Sequence, residues 1–213
     1  MKKSFLTIIC LVAAFTANQV LASGDAAAGK SKVAVCAGCH GGDGNSMVAS
    51  FPKLAGLGES YLYTQLKNIQ SGERAIVEMT GLLDASSDQD LHDMAAYYNS
   101  QQRQIAGAQD ITLIGYSEPS EVLELGENVY RGGNLKTGVP SCTGCHSPAG
   151  TGNGPAGYPA LGGQHADYIE SQLLKYRSGE RASGANAKIM QGVAERLSNK
   201  EIKAVANYIS GLN

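Results

Sequence analysis

Two five-residue stretches, Cys36-Ala-Gly-Cys-His40 and Cys142-Thr-Gly-Cys-His146, share the pattern C-x-x-C-H. Two thiols three positions apart on a helical turn can each add across one vinyl group of a porphyrin, and the adjoining histidine is then placed to ligate iron. The covalent bonds and the metal ligand form one geometric unit. A C-x-x-C pair also serves thioredoxin-like redox sites and supplies half of a zinc site. A four-cysteine zinc site has no use for His40 and His146, however, and a thioredoxin-like site belongs with a parallel sheet that the chain gives no sign of forming. The paired motifs therefore point to two covalently bound haem c groups on Cys36, Cys39, Cys142 and Cys145, with His40 and His146 as axial ligands.

The sixth ligand separates an electron carrier, whose axial positions are both filled, from an enzyme that leaves one open. In the second half Met190 is the only methionine after residue 94, and it lies eight residues before the serine that opens the last helix. Met79 stands at the same distance from Ser87, which selects it over Met47 and Met94. His40 with Met79 and His146 with Met190 are thus the expected axial pairs. A soft thioether stabilises ferrous iron, so such ligation raises the reduction potential relative to two histidines. Met94 reads as core and Met47 as a loop residue lining the site without ligating, while His92 and His165 read as surface residues. Pro52 and Pro159 follow their histidines by 12 and 13 residues, close enough for a nearby backbone carbonyl to accept the imidazole Nδ1–H. Arg74 and Arg181 could neutralise haem propionates or an interdomain carboxylate, although a helix-ending turn with a solvated arginine explains them almost as well.

The elements that position these residues come in two copies. FPKLAGL at 51–57 answers YPALGGQ at 158–164, YLYTQLKNIQSGER at 61–74 answers YIESQLLKYRSGER at 168–181, and SDQDLHDMAAYY at 87–98 answers SNKEIKAVANYI at 198–209. Each copy reads as helical. Leu62, Leu66 and Ile69, and likewise Ile169, Leu173 and Tyr176, make one apolar stripe per helix, which Gly72 and Gly179 end. Ser198 with Glu201 forms a capping box, and Ser87 with Asp90 a weaker one. Residues 102–120 have no partner in the other copy and read as a linker between domains at 23–101 and 121–213.

The chain has 213 residues, 43% hydrophobic and 17% charged, with no tryptophan and three phenylalanines. Aromatic side chains alone make a thin core, which a macrocycle in each copy would complete. Residues 1–22 combine Lys2 and Lys3, an apolar run and Val20-Leu21-Ala22, the pattern of a cleaved export signal, with Cys10 as an apolar signal residue. Export removes the fifth cysteine and sends the chain to the periplasm, where such haems are attached. A formal net charge of -2 without a basic stripe excludes nucleic acid as a partner. Residues 23–105 hold six Lys/Arg against nine Asp/Glu, and residues 106–213 nine against ten, so the first haem is expected to have the lower potential.

In order and nearly without gaps, GDAAAGKSKVAVCAGCHGGDGNS, FPKLAGL, SGER, the stretch from Met79 to Leu83 followed by SDQDL, and LSNKEIKAVANYISGL resemble the dihaem cytochrome c4 family. The resemblance implies an all-α fold of two tandem class I cytochrome c-like domains, each wrapped around a covalently attached haem. Gly29 with Tyr97, and Gly126 and Tyr130 with Tyr208, would sit where the first and last helices of such domains cross. It further implies propionate edges facing the domain junction, and a periplasmic carrier with no enzymatic activity of its own, loosely associated with the inner membrane. Its partners would be redox proteins: a quinol-oxidising complex or a dehydrogenase as donor and a terminal oxidase as acceptor. The alternatives are a haem subunit of a periplasmic oxidoreductase complex and a dihaem peroxidase, the latter needing an open iron that paired Met79 and Met190 argue against.

Overall fold

A computed structural model describes residues 23–213; the export signal read at 1–22, with Cys10, lies outside the described residues. The first copy contains α1 (Ala26–Lys32), α2 (Ala37–His40), α3 (Glu59–Gln70), a 3-10 turn at Val77–Met79 and α4 (Asp88–Asn99). The second contains α5 (Pro119–Gly132), α6 (Thr143–His146), α7 (Ala166–Ser178), α8 (Ala187–Ala194) and α9 (Asn199–Gly211). Among the described residues the only bridge pairings are isolated, Asn134 with Val139 and Asn153 with Tyr158. The fold is all-α.

Local signals explain where the helices stop and start. Asp25 accepts from the N–H groups of Ala27 and Ala28 to open α1, and both capping boxes close fully, Ser87 with Asp90 as well as Ser198 with Glu201. Gly179 ends α7 in the left-handed region at φ 79°. In each copy the first helix crosses the last at a glycine: a Cβ on Gly29 would lie 2.0 Å from the Asp93 carbonyl oxygen, and one on Gly126 2.3 Å from that of Ala204. Only glycine lets the backbones approach that closely. Tyr97 and Tyr208 flank these contacts, as the resemblance implies.

Each copy has its own core. Val33, Leu57, Leu62, Leu83, Leu91, Met94 and Tyr98 pack together in the first, and Val129, Tyr130, Ile169, Leu173, Ile202, Val205 and Ile209 in the second. The first half of the connecting segment lies along the second copy, where Gln109 exchanges hydrogen bonds with the Asn207 side chain and Gly107 pairs with Ser210. Arg103 ties the two copies together. Its guanidinium donates to the carbonyls of Ala55 (2.9 Å) and Gly56 (2.6 Å) in the first and of Gly162 (2.8 Å) in the second.

Candidate haem sites

In both motifs the cysteine-to-histidine segment forms one helical turn, closed by hydrogen bonds from His40 N–H to the Cys36 carbonyl and from His146 N–H to the Cys142 carbonyl, each 2.9 Å. Both histidines are buried. His40 Nδ1 lies 2.9 Å from the Pro52 carbonyl and His146 Nδ1 2.9 Å from the Pro159 carbonyl, so the expected acceptors are the proline carbonyls themselves. Each proline loop is pinned in the same way: Leu54 and Ala55 N–H donate to the Gly44 carbonyl, and Leu161 and Gly162 N–H to that of Gly150.

A carbonyl accepts only from N–H, which fixes the proton on Nδ1 and leaves the Nε2 lone pair free for a metal. Burial holds both imidazoles below their usual pKa, outweighing the proline carbonyls, and so keeps them in the neutral, ligating form.

The four motif cysteines form no disulfide. Burial pushes the Cys36 thiol up and the Cys142 thiol up to about 11, opposite to the depressed pKa that a thioredoxin-like nucleophile needs. Among the described residues no three His, Cys, Asp or Glu side chains converge, so the two pairs do not combine into one zinc site.

Cys36, Cys39, His40 and Met79 line one cavity of about 370 Å³, walled by Leu57, Leu62, Leu66, Leu83 and Met94. That size and apolar lining suit a bound cofactor. Met79 sits on the 3-10 turn, half-buried. Met190, on α8, packs against the core cluster that Cys142 also borders. Met94 is buried as expected, whereas Met47 is 88% exposed and absent from the cavity walls. A flexible apolar side chain in a short loop has no local signal for which way it faces. Neither remaining histidine is a free surface residue: His92 stacks on Tyr63 with ring centroids 3.7 Å apart, and His165 reaches across the domain junction to Ser46.

Arg74 and Arg181 meet at that junction as one cluster. Arg74 donates to Gln65 Oε1 (2.8 Å) in its own domain and to Gln172 Oε1 (3.1 Å) and the Tyr168 hydroxyl (3.3 Å) in the other. Arg181 repeats the pattern with Gln172 (2.8 Å), Gln65 (3.0 Å) and Tyr61 (2.9 Å). Among the described residues neither guanidinium pairs with a carboxylate, which leaves two positive charges on neutral partners. Tyr168 registers the excess: burial pushes its phenol up, yet Arg74 and Arg181 outweigh burial and hold it below the usual range. Both arginines also line the cavity with Cys36 and His40. The site thus offers two thiols, an imidazole with a free Nε2, a thioether, apolar walls and unpaired positive charge, a donor set that fits a haem with anionic propionates.

Nothing local in the sequence marks Lys53, Arg103 or His165 as interface residues. One signal exists for Gln164, because it stands where the first copy has Leu57.

A helical fold built twice around a C-x-x-C-H turn, with a carbonyl-oriented histidine in each copy, defines a tandem c-type cytochrome. A family profile described as cytochrome c matches residues 26–102 and 125–213. Cytochrome c4 of Pseudomonas aeruginosa is 51% identical over 192 residues, covering 90% of each chain. The crystal structure of reduced recombinant cytochrome c4 from Pseudomonas stutzeri superposes with a TM-score of 0.82 at 48% identity, covering 90% of this chain and 100% of that one. A more distant relative, the thiosulfate dehydrogenase electron acceptor of Stutzerimonas stutzeri, is 36% identical over 178 residues, 83% of this chain and 78% of its own. The chain belongs to the cytochrome c4 family.

Proposed function

We propose that the protein is a periplasmic electron carrier of a respiratory chain, with haem c bound through Cys36 and Cys39 to the domain at 23–101 and through Cys142 and Cys145 to the domain at 121–213. The axial pairs are His40 with Met79 and His146 with Met190, residues 102–120 join the domains, and residues 1–22 are removed on export. The observation that carries this reading is the orientation of both motif histidines, each buried and neutral with Nδ1–H committed to a proline carbonyl. Each haem, when bound, supplies a one-electron iron couple. The protein's part is to present Nε2 on one side and a soft thioether on the other, to exclude water with apolar walls, and to lay positive charge from Arg74 and Arg181 beside the propionates. Filled axial positions leave no place for a substrate, which favours a carrier over a peroxidase.

Electrons would pass from a quinol-oxidising complex or a dehydrogenase to a terminal oxidase. The relative that serves thiosulfate dehydrogenase lends weight to a second reading, in which this chain accepts electrons from a periplasmic dehydrogenase or forms part of one. Among the described residues no helix is long and apolar enough to cross a membrane, so contact with the inner membrane would be peripheral.

Absorption spectra of the mature protein test the reading. Two haems per chain, low-spin in both oxidation states, a long-wavelength methionine-to-ferric-iron band and no carbon monoxide binding are expected. A high-spin component that binds carbon monoxide means an open iron and overturns the carrier assignment.

A further inference from the structure

The loops that orient the two histidines meet across the domain junction, and each is held there by the opposite domain. Gln164 is 1% exposed and Lys53 4% exposed. The Lys53 N–H donates to Gln164 Oε1 at 2.8 Å, and Gln164 Nε2–H donates to the Lys53 carbonyl at 2.8 Å. The side-chain amide therefore pairs with the Lys53 backbone as a neighbouring strand would. Gln164 Oε1 also accepts from His165 N–H (3.0 Å), and His165 Nε2–H donates to the Ser46 carbonyl (2.8 Å). Ser46 in turn donates its hydroxyl to the Cys39 carbonyl (2.8 Å). Two consecutive residues of the second domain thus grip the first domain's loop around His40.

The Lys53 N–H and the Pro52 carbonyl belong to one peptide group. A hydrogen bond accepted from its N–H polarises that group and makes its carbonyl a stronger acceptor. The chain of contacts runs from Gln164 Oε1 through the 52–53 peptide to His40 Nδ1–H. In the other direction the Ala160 N–H donates to the Leu57 carbonyl at 3.2 Å, and the 159–160 peptide passes on to His146 Nδ1–H. Lys53 and Ala160 are repeat equivalents, as are Gln164 and Leu57, so both relays cross the junction. The arm on His40 is shorter, and it alone is made by a side chain.

We propose that Gln164 is a positioning residue for His40: it polarises and fixes the Pro52 carbonyl, so that the second domain sets the electron-donating strength of the first domain's iron ligand. A stronger Nδ1–H to carbonyl bond gives the imidazole more anionic character, stabilises ferric iron and lowers the potential. This inference rests on the proposed haem ligation.

The test is a redox titration of full-length holoprotein followed by NMR, which resolves a midpoint for each haem, alongside the exchange rate of the His40 ring N–H. Gln164→Leu, which copies Leu57, is expected to raise the midpoint of the first haem, leave the second unmoved and speed exchange of the ring proton. Gln164→Glu keeps an acceptor on the Lys53 N–H and makes it anionic, so the first midpoint is expected to fall and exchange to slow. Opposite signs at one haem are a result that simple loosening of the junction does not give. Both midpoints moving together, both variants shifting the first haem the same way, or no shift in either would overturn the proposal. If Gln164→Leu does not fold, Gln164→Glu decides by the His40 ring N–H exchange, because a buried anion lowers the first midpoint through space with or without the relay: slower exchange supports the proposal and unchanged or faster exchange overturns it. A wild-type protein without two histidine-methionine haems overturns the functional reading itself, whereas a normal wild-type spectrum with unshifted variants overturns the relay only.

Discussion

The residue after the motif histidine is Gly41 in the first domain, at φ 79° and ψ 151°, and Ser147 in the second, at φ 68° and ψ 160°. Both occupy the same backbone region, which belongs almost wholly to glycine and costs any other residue about 1–3 kcal/mol. Ser147 is held there by its surroundings: its hydroxyl accepts from the Thr151 N–H (2.8 Å) and its carbonyl from the Tyr130 hydroxyl (2.7 Å). Tyr130 belongs to a second exchange between the copies. Where the first domain has Val33 after α1 and Tyr98 on α4, the second has Tyr130 on α5 and Ile209 on α9. The large ring moves from the last helix to the first, and the pair keeps roughly its volume, the kind of change a core tolerates. The Tyr130 hydroxyl is satisfied, whereas the buried Tyr98 hydroxyl faces the Cys36 sulfur without a well-formed hydrogen bond. The motif cysteines and histidines, the Pro52/Pro159 pair and the Arg74/Arg181 pair are held constant between the copies, while the residues that support them are traded in compensating sets.

That comparison is sharpest at the strained position. Gly41→Ser should destabilise the first domain by about 1–3 kcal/mol, because it imports the strain without the Tyr130 and Thr151 partners. Its Cβ would also lie 2.9 Å from the Asn45 carbonyl oxygen. Ser147→Gly, which relieves strain but loses the hydroxyl's contacts, should change stability by less than about 1 kcal/mol. Hydrogen exchange of holoprotein, read domain by domain, measures both, and equal losses would break the distinction. A smaller contrast is expected between Tyr130→Phe and Tyr98→Phe. The first should cost about 0.5–1.5 kcal/mol by removing the shorter of the two hydrogen bonds to the Ser147 carbonyl, which keeps the Gly150 N–H at 3.2 Å, and the second should be neutral or stabilising in thermal unfolding.

The smallest difference should come with acid. In the first domain Lys32 pairs with Asp93 at 2.5 Å and Asp90 at 2.6 Å, and that contact, with help from the Asp25 N–H and Gln89, lowers Asp93 to about 2. In the second domain the equivalent helices are joined by Asn134 donating to Glu201 at 2.7 Å, and Glu201 is lowered by hydrogen bonds alone, against its burial. A depressed carboxylate stabilises above its unfolded pKa, 3.8 for Asp93, and that contribution is lost as pH falls through the folded value near 2. Glu201, lowered from 4.5, starts to lose its smaller contribution at higher pH, so the expected difference is one of size: amides of α1 and α4 should lose more protection than those of α5 and α9 between pH 4 and pH 2. Equal losses would mean that the Lys32 pairs contribute no more than the Asn134–Glu201 contact.

The sequence carries the local part of this design openly. Capping serines, helix-ending glycines, the motif turns and the proline acceptors all show as short spacings within one copy, and duplication lets each reading check the other. Met79 and Met190, the proposed thioether ligands, are selected by their equal distance from the next helix. The junction is another matter, because Lys53 with Gln164 and Ser46 with His165 are pairs more than 100 residues apart with no period to announce them. A histidine just before a helix has no local reason to lie anywhere but the surface, so the contact of His165 with Ser46 leaves no trace in the sequence. The strain at Ser147 is equally silent, for serine is an ordinary residue until its dihedral angles are known.

The Arg103 guanidinium bonds the carbonyls of Ala55 and Gly162, which occupy the same position in the two copies. Were the copies separate chains paired about the same axis, symmetry would direct the arginine of each chain to the same two carbonyls. Two cations would then compete for one place. Joining the copies in a single polypeptide supplies one arginine only, so the duplicated chain can occupy a central position that a dimer of identical halves must leave empty or contest.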